Sequence, residues 1–410
     1  MEVDLQKLNL TLEQLFDIRN TLYQKILDGL ACHGQEIKVL PAYLRRPFNT
    51  LPDDAVVLDV GGTNIRAARL RCQGSNSELL TSPVSDRETM QQAKTPGQVN
   101  AHQFFAKQAA LIAQVCSEPM IKLGYCFSYP TEIKPDGDAL LLKWTKGVSI
   151  DNVVGRSVRE QLQAALREKD KQVVKLPVLN DTVASLLAGA WLAPECTHYI
   201  GLIVGTGTNM AGFFPVQRIT KLAPKEHSGW HDDDEMAVNL ESGNFTPPHL
   251  TAYDDMLDSA KPDDYPGEQR FEKAVSGAYL PRLFGYVVGR KTCLQLQNSF
   301  DPEDPDAHPG LIANLRDYPG LVGEAATAVL NRSADLVAAA IAGFIQAYEP
   351  AQKQVGILAE GTMFWQTPGY CQRVKKTLAH LVTSGTTTKI LQCPSDVDAN
   401  FLGAACAALS

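Results

Sequence analysis

An α/β fold is what this sequence predicts, and three observations carry the prediction. Short apolar runs suited to buried strands alternate along the chain with longer runs of helical period. Two of those strands pass directly into glycine-rich turns, LDVGGTN at 58–64 and IVGTGTN at 203–209. The composition, 44% hydrophobic and 20% charged over 410 residues, is that of a globular chain whose core needs no disulfide or structural metal.

Residues 11–30 suit an amphipathic helix, because Thr11 and Gln14 make a capping box and Leu15, Ile18, Leu22 and Ile26 share one face. A Pro-containing connector, PAYLRRPFNTLPDD, leads into the buried strand AVVLDV at 55–60, and GGTN turns it into a second strand, IRAARLRC. The polar stretch 73–100 is expected to be loose and solvent-facing. A helix (HQFFAKQAALIAQV), a strand (LGYCFSYP), a turn at Pro135–Gly137 and a helix through VGRSVREQLQAALREKD follow. VLNDTVASLLAGAW passes from strand to helix at Asn180–Asp181, and HYIGLIVGTGTNMAGFF at 198–214 is the second strand–glycine turn–strand. Residues 257–268 and 297–320 are Pro- and Asp-rich surface excursions. LVAAAIAGFIQAY, VKKTLAHLV and FLGAACAAL are late helices. The pattern common to LDVGGTN and IVGTGTN is that of a duplicated α/β unit whose two hairpins face one ligand.

A net charge of −8 argues against a nucleic-acid or anionic-membrane surface, so an anionic ligand would rest on local dipoles and a few placed cations. Nine cysteines without a C-x-x-C pair exclude a zinc ribbon, argue against a disulfide framework and point to a reducing compartment. The amino end lacks the basic-then-apolar order of a signal peptide. The longest uncharged run, Cys196–Gln217, is broken by Gly201, Gly205, Gly207, Gly212 and Pro215, so no membrane span is expected.

The familiar phosphate loops are missing. No Gly-Lys dipeptide occurs, so there is no Walker loop, and Gly285–Thr292 comes nearest. Neither the H-R-D nor the D-F-G of protein kinases is present, and GTGTNMAG has the wrong spacing for a dinucleotide site. LDVGGTNIR offers another construction. Asp59 ends a buried strand beside Gly61 and Gly62, whose N–H groups can approach an anion, and a carboxylate there commonly partners magnesium directly or through water. A tight hairpin with a structural Asp fits the same residues. Thr206 and Thr208 add hydroxyls to the second turn, with the same plain alternative, and the two turns together weigh more than either.

Asp181, at the start of a helix, is most often an N-cap. The helix N-terminus also favours its ionised form, an acceptor for the proton of a hydroxyl attacking a phosphoryl group. WTKG at 144–147 offers Thr145 and Lys146 to a hydroxylated ligand, unless Lys146 is simply solvated. The run Asp232–Glu235 reads as a solvated face rather than a metal site. Glu241 and Glu272 stand among apolar or glycine neighbours, so each needs donors, from a polyol or from a nearby Lys or Arg.

LDVGGTNIR, FSYP, WTKG, LNDTV, IVGTGTN, NLESG, FEKAVSG and AEGT occur in an order that resembles the hexokinase family, over about residues 55–362 with a weaker continuation to the carboxyl end. The resemblance implies an actin-like, ribonuclease-H-like duplicated fold with two domains flanking a cleft. Residues 54–179 plus about 397–410 would form the small domain, and 1–53 plus 180–396 the large one. It also implies a cytoplasmic hexokinase that phosphorylates glucose and mannose at the 6-hydroxyl, with Mg-ATP as cofactor. Ser128, Thr145, Lys146, Asn180, Asp181, Asn209, Glu241 and Glu272 match the sugar site. Of these, Asp181 matches the catalytic base, and Lys146 would stabilise charge on the transferring phosphoryl group. Asp59, Gly61, Gly62, Thr63 and Asn64 match the first phosphate turn, Gly205, Thr206 and Gly207 the second, and Gly361 and Thr362 the nucleotide-side turn. No residue is expected to ligate the metal directly; Asp59 would orient its water shell.

The chain departs from the family in three places. Ser242 and Gly243 stand where a tryptophan and glycine are usual, AEGT replaces Asp-Gly-Ser/Thr, and the late serine-containing ATP motif is hard to place around Pro394–Gly403. A non-catalytic hexose-sensing regulator is the rival reading, and the intact Asp181 and phosphate turns argue against it. WTKG and LNDTV argue against an actin-like or chaperone ATPase, and the cysteine-rich zinc motif of the repressor/kinase branch is absent.

Overall fold

The two strands that run into glycine turns become the centres of two sheets. In the computed structural model, which describes residues 5–47, 52–74, 76–260, 265–297, 299–304, 306–349 and 353–410, the first sheet has the order Val178–Leu179, Met120–Phe127, Asp53–Val60, Ile65–Gln73, Asn76–Leu79. Val84–Asp86 adds to Ile65–Gln73, and Gln172–Lys175 to Met120–Phe127. The second sheet runs Leu40–Arg45, Glu235–Asn239, Thr208–Pro215, His198–Val204, Gln354–Glu360, Thr387–Leu391.

Both sheets repeat one device. Asp53–Val60 and Ile65–Gln73 form an antiparallel hairpin with Met120–Phe127 parallel to its first arm. His198–Val204 and Thr208–Pro215 form the matching hairpin with Gln354–Glu360 parallel to its first arm. The short LDVGGTN/IVGTGTN likeness is the sequence trace of this duplication.

Two helices, Asp181–Leu192 and Ala399–Leu409, lie between the sheets, and both are buried on nearly every face. Such helices need small residues where backbones meet. A Cβ on Gly403 would lie 2.0 Å from the Ala184 carbonyl oxygen, and one on Gly124 the same 2.0 Å from that of Ala404. Ala101–Val115 and Val158–Arg167 cover the outer face of the first sheet. Leu12–Ala31, Leu321–Ala347 and Tyr370–Leu381 pack beyond the second. The Thr11 capping box forms as the sequence predicts, with Leu15, Ile18, Leu22 and Ile26 buried. Leu321–Ala347 is long and apolar enough to cross a membrane by length and composition, yet it is the buried centre of this half. Its Arg332 makes two bonds to the buried Asp254 carboxylate, of 3.0 and 2.9 Å.

Several segments differ from expectation. The connector after the first helix is partly a strand, Leu40–Arg45, whose backbone pairs with Glu235–Asn239 and whose Tyr43 sits at φ +53° where the register shifts; residues 48–51 of it lie outside the described residues. The stretch 73–100 is not loose: Asn76–Leu79 and Val84–Asp86 occupy the open edge of Ile65–Gln73, and Met90 of the helix Glu88–Gln92 fills the core. An unpaired edge needs such partners. Pro309–Ala313 is a helix inside the 297–320 excursion, pinned by buried Ile312. Ala252–Ser259 carries the start of the 257–268 excursion, of which 261–264 lie outside the described residues.

Candidate active site

The first glycine turn closes with a 3.0 Å bond from the Gly61 N–H to the Asn64 carbonyl, and the Tyr129 hydroxyl donates to the Gly61 carbonyl at 3.0 Å. A Cβ on Gly61 would meet nothing within 4 Å, so the space above it is open. Gly62 differs: a Cβ there would lie 2.9 Å from Lys146 Cβ and 2.8 Å from its Cδ. The lysine stem therefore lies across the turn, and only glycine admits it. Lys146 takes φ +58°, and its ammonium donates to the Ser128 carbonyl at 2.8 Å. Trp144 anchors this loop by packing edgewise on Phe104, Phe127 and Tyr129 and donating its indole N–H to the Ile150 carbonyl at 3.0 Å. Thr145 is half-buried behind it, and Thr63 is exposed at the turn. The Asn64 side-chain oxygen is buried with no hydrogen-bond partner, a polar group awaiting one.

Asp59 is buried with both oxygens engaged. Its Oδ2 accepts from Arg66 Nε and Nη2 at 3.0 and 2.5 Å, and its Oδ1 from Asn400 Nδ2 at 3.2 Å. Burial raises its carboxyl above the ordinary value, and the Arg66 guanidinium opposes that rise. Arg66 also holds Asp398 at 2.8 Å, and Asp398 caps the helix Ala399–Leu409 by accepting from the Asn400 N–H at 2.9 Å. Sequence reasoning missed Arg66, Asp398 and Asn400 as a unit, although Arg66 interrupts an apolar strand where a cation needs a partner.

The second turn meets the turn at Gly361–Thr362. A Cβ on Gly205 would lie 3.4 Å from Gly361 Cα, and Gly361, at φ +110°, touches the Val204 carbonyl so closely that a Cβ would come within 2.2 Å. The carbonyls of Gly205 and Thr206 accept from the N–H groups of Gly277 and Ala278, at 2.7 and 3.2 Å. Thr206 and Thr362 are exposed there. Glu360 is pushed up to about 7, by burial first and then by the Asp398 charge.

Between the turns lie the hydroxyl-binding candidates. Asn180, still extended at φ −75° and ψ 155°, is the N-cap in place of Asp181, and its Oδ1 accepts from the Thr182 N–H at 2.9 Å. Asp181 is the first helical residue; its Oδ1 accepts from the same N–H at 2.8 Å, and Oδ2 has no hydrogen bond among the described residues. Glu241 sits in the left-handed region at φ +55°, and its Oε1 accepts from Asn239 Nδ2 at 2.7 Å. Asn239 Oδ1 accepts from Asn209 Nδ2 at 2.8 Å, and Asn209 Oδ1 from the N–H groups of Met210 and Ser242 at 2.8 and 3.0 Å. Asn239 is a second residue the sequence did not single out, and it stands two places before Glu241. Glu272 Oε2 accepts from the Thr208 N–H at 2.9 Å, and a Cβ on Gly207 would lie 2.6 Å from that oxygen.

Burial raises both Glu241 and Glu272. The Asp181 charge adds to the rise at Glu241, which Lys38 and Lys143 oppose. The Glu241 charge adds to that at Glu272, which Lys146 and Lys273 oppose. A Cβ on Gly243, two places after Glu241, would lie 3.4 Å from Glu272 Cβ, so the two glutamates belong to adjoining segments. No Lys or Arg forms an ion pair with either glutamate among the described residues. The acidic run goes elsewhere: Asp234 pairs with Arg45 at 2.5 Å, Asp233 accepts from Gln217 at 2.7 Å, and no three potential metal ligands converge among the described residues.

Two family models, both described as hexokinase, match residues 2–191 and residues 199–299 with 315–410. Hexokinase-2 of Solanum tuberosum is 28% identical, with 93% of this chain and 85% of that protein covered. Hexokinase-1 of Saccharomyces cerevisiae is 30% identical, with 68% and 60% covered. Against Hexokinase-3 of Mus musculus, 28% identical, 95% of the chain is covered but only 45% of the relative, so the chain spans about half its length. The hexokinase from Schistosoma mansoni complexed with glucose superposes with a TM-score of 0.78, over 98% of this chain and 96% of that one at 24% identity. A ROK hexokinase from Thermus thermophilus gives 0.56 at 19% identity, over 87% of this chain and 98% of that one. At these identities the structures speak for the fold, the two-domain actin-like α/β arrangement.

Proposed function

The chain belongs to the hexokinase family, and on that premise we propose that it transfers the terminal phosphoryl group of Mg-ATP to the 6-hydroxyl of glucose and mannose, in the cytoplasm. One observation above all supports this: Lys146 lies across the first glycine turn, Glu272 against the second, and Glu241 is joined through Asn239 to Asn209 of the second hairpin. The proposed small domain is 54–179 with about 397–410, and the large one 1–53 with 180–396.

Asp181 accepts the 6-hydroxyl proton. Its Oδ1 is fixed by the Thr182 N–H, which leaves Oδ2 for the substrate. Lys146 lies over the first turn and offsets negative charge that develops on the transferring group. Glu241 and Glu272, raised by burial, regain hydrogen-bond donors from a polyol. Asn209 has three of its four hydrogen-bonding positions engaged within the protein, so it presents one amide proton in a fixed direction. Ser128 and Thr145 carry the sugar's other edge, and Asn180 holds the helix end that presents Asp181.

Mg-ATP, when bound, supplies the phosphoryl group and the cation that neutralises its oxygens. The open face of Gly61 and the adjoining turns at Gly205–Gly207 and Gly361 suit a polyphosphate, while the unpartnered Asn64 oxygen, an acceptor, would accept a hydrogen bond from a water beside it rather than meet a phosphate oxygen. The exposed hydroxyls of Thr63, Thr206 and Thr362 would donate to it. Asp59, already bonded to Arg66 and Asn400, would meet the metal's water by sharing an oxygen.

A coupled assay with ATP, Mg²⁺ and a panel of hexoses tests the reading. Glucose and mannose should fall within about tenfold in kcat/KM, ~1.4 kcal/mol, because C2 faces two glutamates that can re-pair beside the small Ser242. Galactose should be at least ~10²-fold worse, since inverting C4 strands a charged or fixed partner at ~2.7 kcal/mol. Galactose turning over like glucose would overturn the placement of Asn209. Glucose binding without turnover of any hexose would overturn the enzyme.

A further inference from the structure

One contact joins the two sides of the cleft between residues outside the sugar and phosphate sets, although the charge of its lysine also acts on Glu241. The Lys143 ammonium lies 5.4 Å from the centroid of the Tyr265 ring. Lys143 comes from the first-sheet side, directly before Trp144, and Tyr265 from the second-sheet side, where the residue is 61% exposed. Each end is held firmly. Trp144 locks its loop to Phe104, Phe127, Tyr129 and the Ile150 carbonyl. The Tyr265 carbonyl accepts from Lys273 Nζ at 3.2 Å, and buried Lys273 pairs with Asp258 at 2.6 Å. Asp258 is held in turn by Arg270 at 2.9 Å and the Gly267 N–H at 2.8 Å.

Lys273 directly follows Glu272 on the short helix Arg270–Val275. The ring platform is therefore tied to the element that brings Glu272 to the second glycine turn, while Lys143 shares a loop with Thr145 and Lys146. An opening of the cleft would part Lys143 from Tyr265 as it moves the Lys146 loop away from the helix of Glu272.

We propose that Lys143 and Tyr265 form a cation–π clasp that favours the closed cleft and thereby sets the apparent affinity for hexose, as positioning residues that take no part in phosphoryl transfer. The clasp rests on the hexose reading of the site. Apparent affinity scales with the fraction of molecules in the competent state, and a cation over an exposed ring favours its contact by roughly two- to fivefold.

Lys143→Met and Tyr265→Leu remove the charge and the ring face while keeping much of the bulk. Each should raise the glucose Kd, read from tryptophan fluorescence, and the glucose KM by roughly two- to fivefold, with kcat unchanged. The double variant should be no worse than either single one, and Lys143→Arg and Tyr265→Phe should behave like the unaltered chain. Without sugar, small-angle scattering should give the double variant the larger radius of gyration. Additive losses, Tyr265→Phe as harmful as Tyr265→Leu, or a fall in kcat at constant KM would overturn the clasp. If the unaltered chain binds no glucose, the sugar reading falls instead, and the scattering comparison alone decides: equal radii overturn the clasp.

Discussion

Gly62→Ala isolates the way the first glycine turn and Lys146 depend on each other. The added methyl would stand 2.8 Å from Lys146 Cδ and 2.9 Å from its Cβ, whereas carbon atoms settle at about 3.5–4.0 Å. One of the two must move by roughly 0.6–1 Å to restore contact distance. The turn is tied by the Gly61–Asn64 bond and by Tyr129, and the Lys146 Cβ cannot escape by rotating its stem, so the lysine loop moves. A misplacement of about 1 Å in a group that orients a reaction can cost ~10²-fold, while overpacking of this kind costs ~1–3 kcal/mol of stability. Turnover should therefore fall about 10²-fold with glucose binding largely kept and the fold intact. Gly61→Ala is the control. Its methyl meets nothing within 4 Å, so it leaves Lys146 in place but occupies the face offered to phosphate, and should raise the KM for ATP more than it lowers kcat. Initial rates over a grid of glucose and ATP concentrations, with thermal unfolding alongside, separate the two. Gly62→Ala with unaltered kcat, or Gly61→Ala with an unaltered ATP KM, would refute the reasoning.

Asp181→Asn keeps size and hydrogen bonding but removes the proton acceptor, so turnover should drop by ~10²–10⁴-fold while glucose still binds; near-normal rates of a pure preparation would remove Asp181 from the mechanism. Glu360, raised to about 7 by burial and Asp398, holds its proton more tightly folded than unfolded. Its contribution to stability is thus complete below the ordinary carboxylate value and disappears as pH rises through about 7. Glu360→Gln should flatten that decline when melting temperature is followed across the interval, and an unchanged slope would count against the shift. Arg332→Met leaves the Asp254 carboxylate buried without its cation and should cost ~3–5 kcal/mol in urea unfolding. A cost under ~1 kcal/mol would mean the pair behaves as an exposed one.

What the sequence made legible follows from where the information is local. The hairpins, the Thr11 capping box and the helix at Asp181 are each specified within about ten residues by period, glycines and caps, and they form where expected. The strand Leu40–Arg45 was illegible because its proline, Pro41, and its mixed residues carry no alternation. It exists only because Glu235–Asn239, nearly 200 residues on, offers backbone partners. The same holds in the site. Asp181, Glu241 and Glu272 stand out as carboxylates in unusual settings, whereas Asn239 and Asn400 are ordinary asparagines until the fold sets one between Asn209 and Glu241 and the other against Asp59.

The duplication also changes what the glycines mean. Taken alone, GGTN and GTGTN are turns that let backbone N–H groups face an anion. In the fold, one glycine of each turn does something further: Gly62 admits the stem of Lys146, and Gly207 admits the carboxylate of Glu272. Each admitted side chain comes from a loop or helix more than 60 residues away, on the same side of the cleft as the turn it touches. Lys146 and Glu272 are thereby each seated on the glycine turn of their own half. A methyl at either glycine would displace the side chain it admits rather than merely stiffen a hairpin. The glycine pattern therefore marks one close side-chain approach in each half of the duplicated unit, and each half fixes its own charged group by the same device.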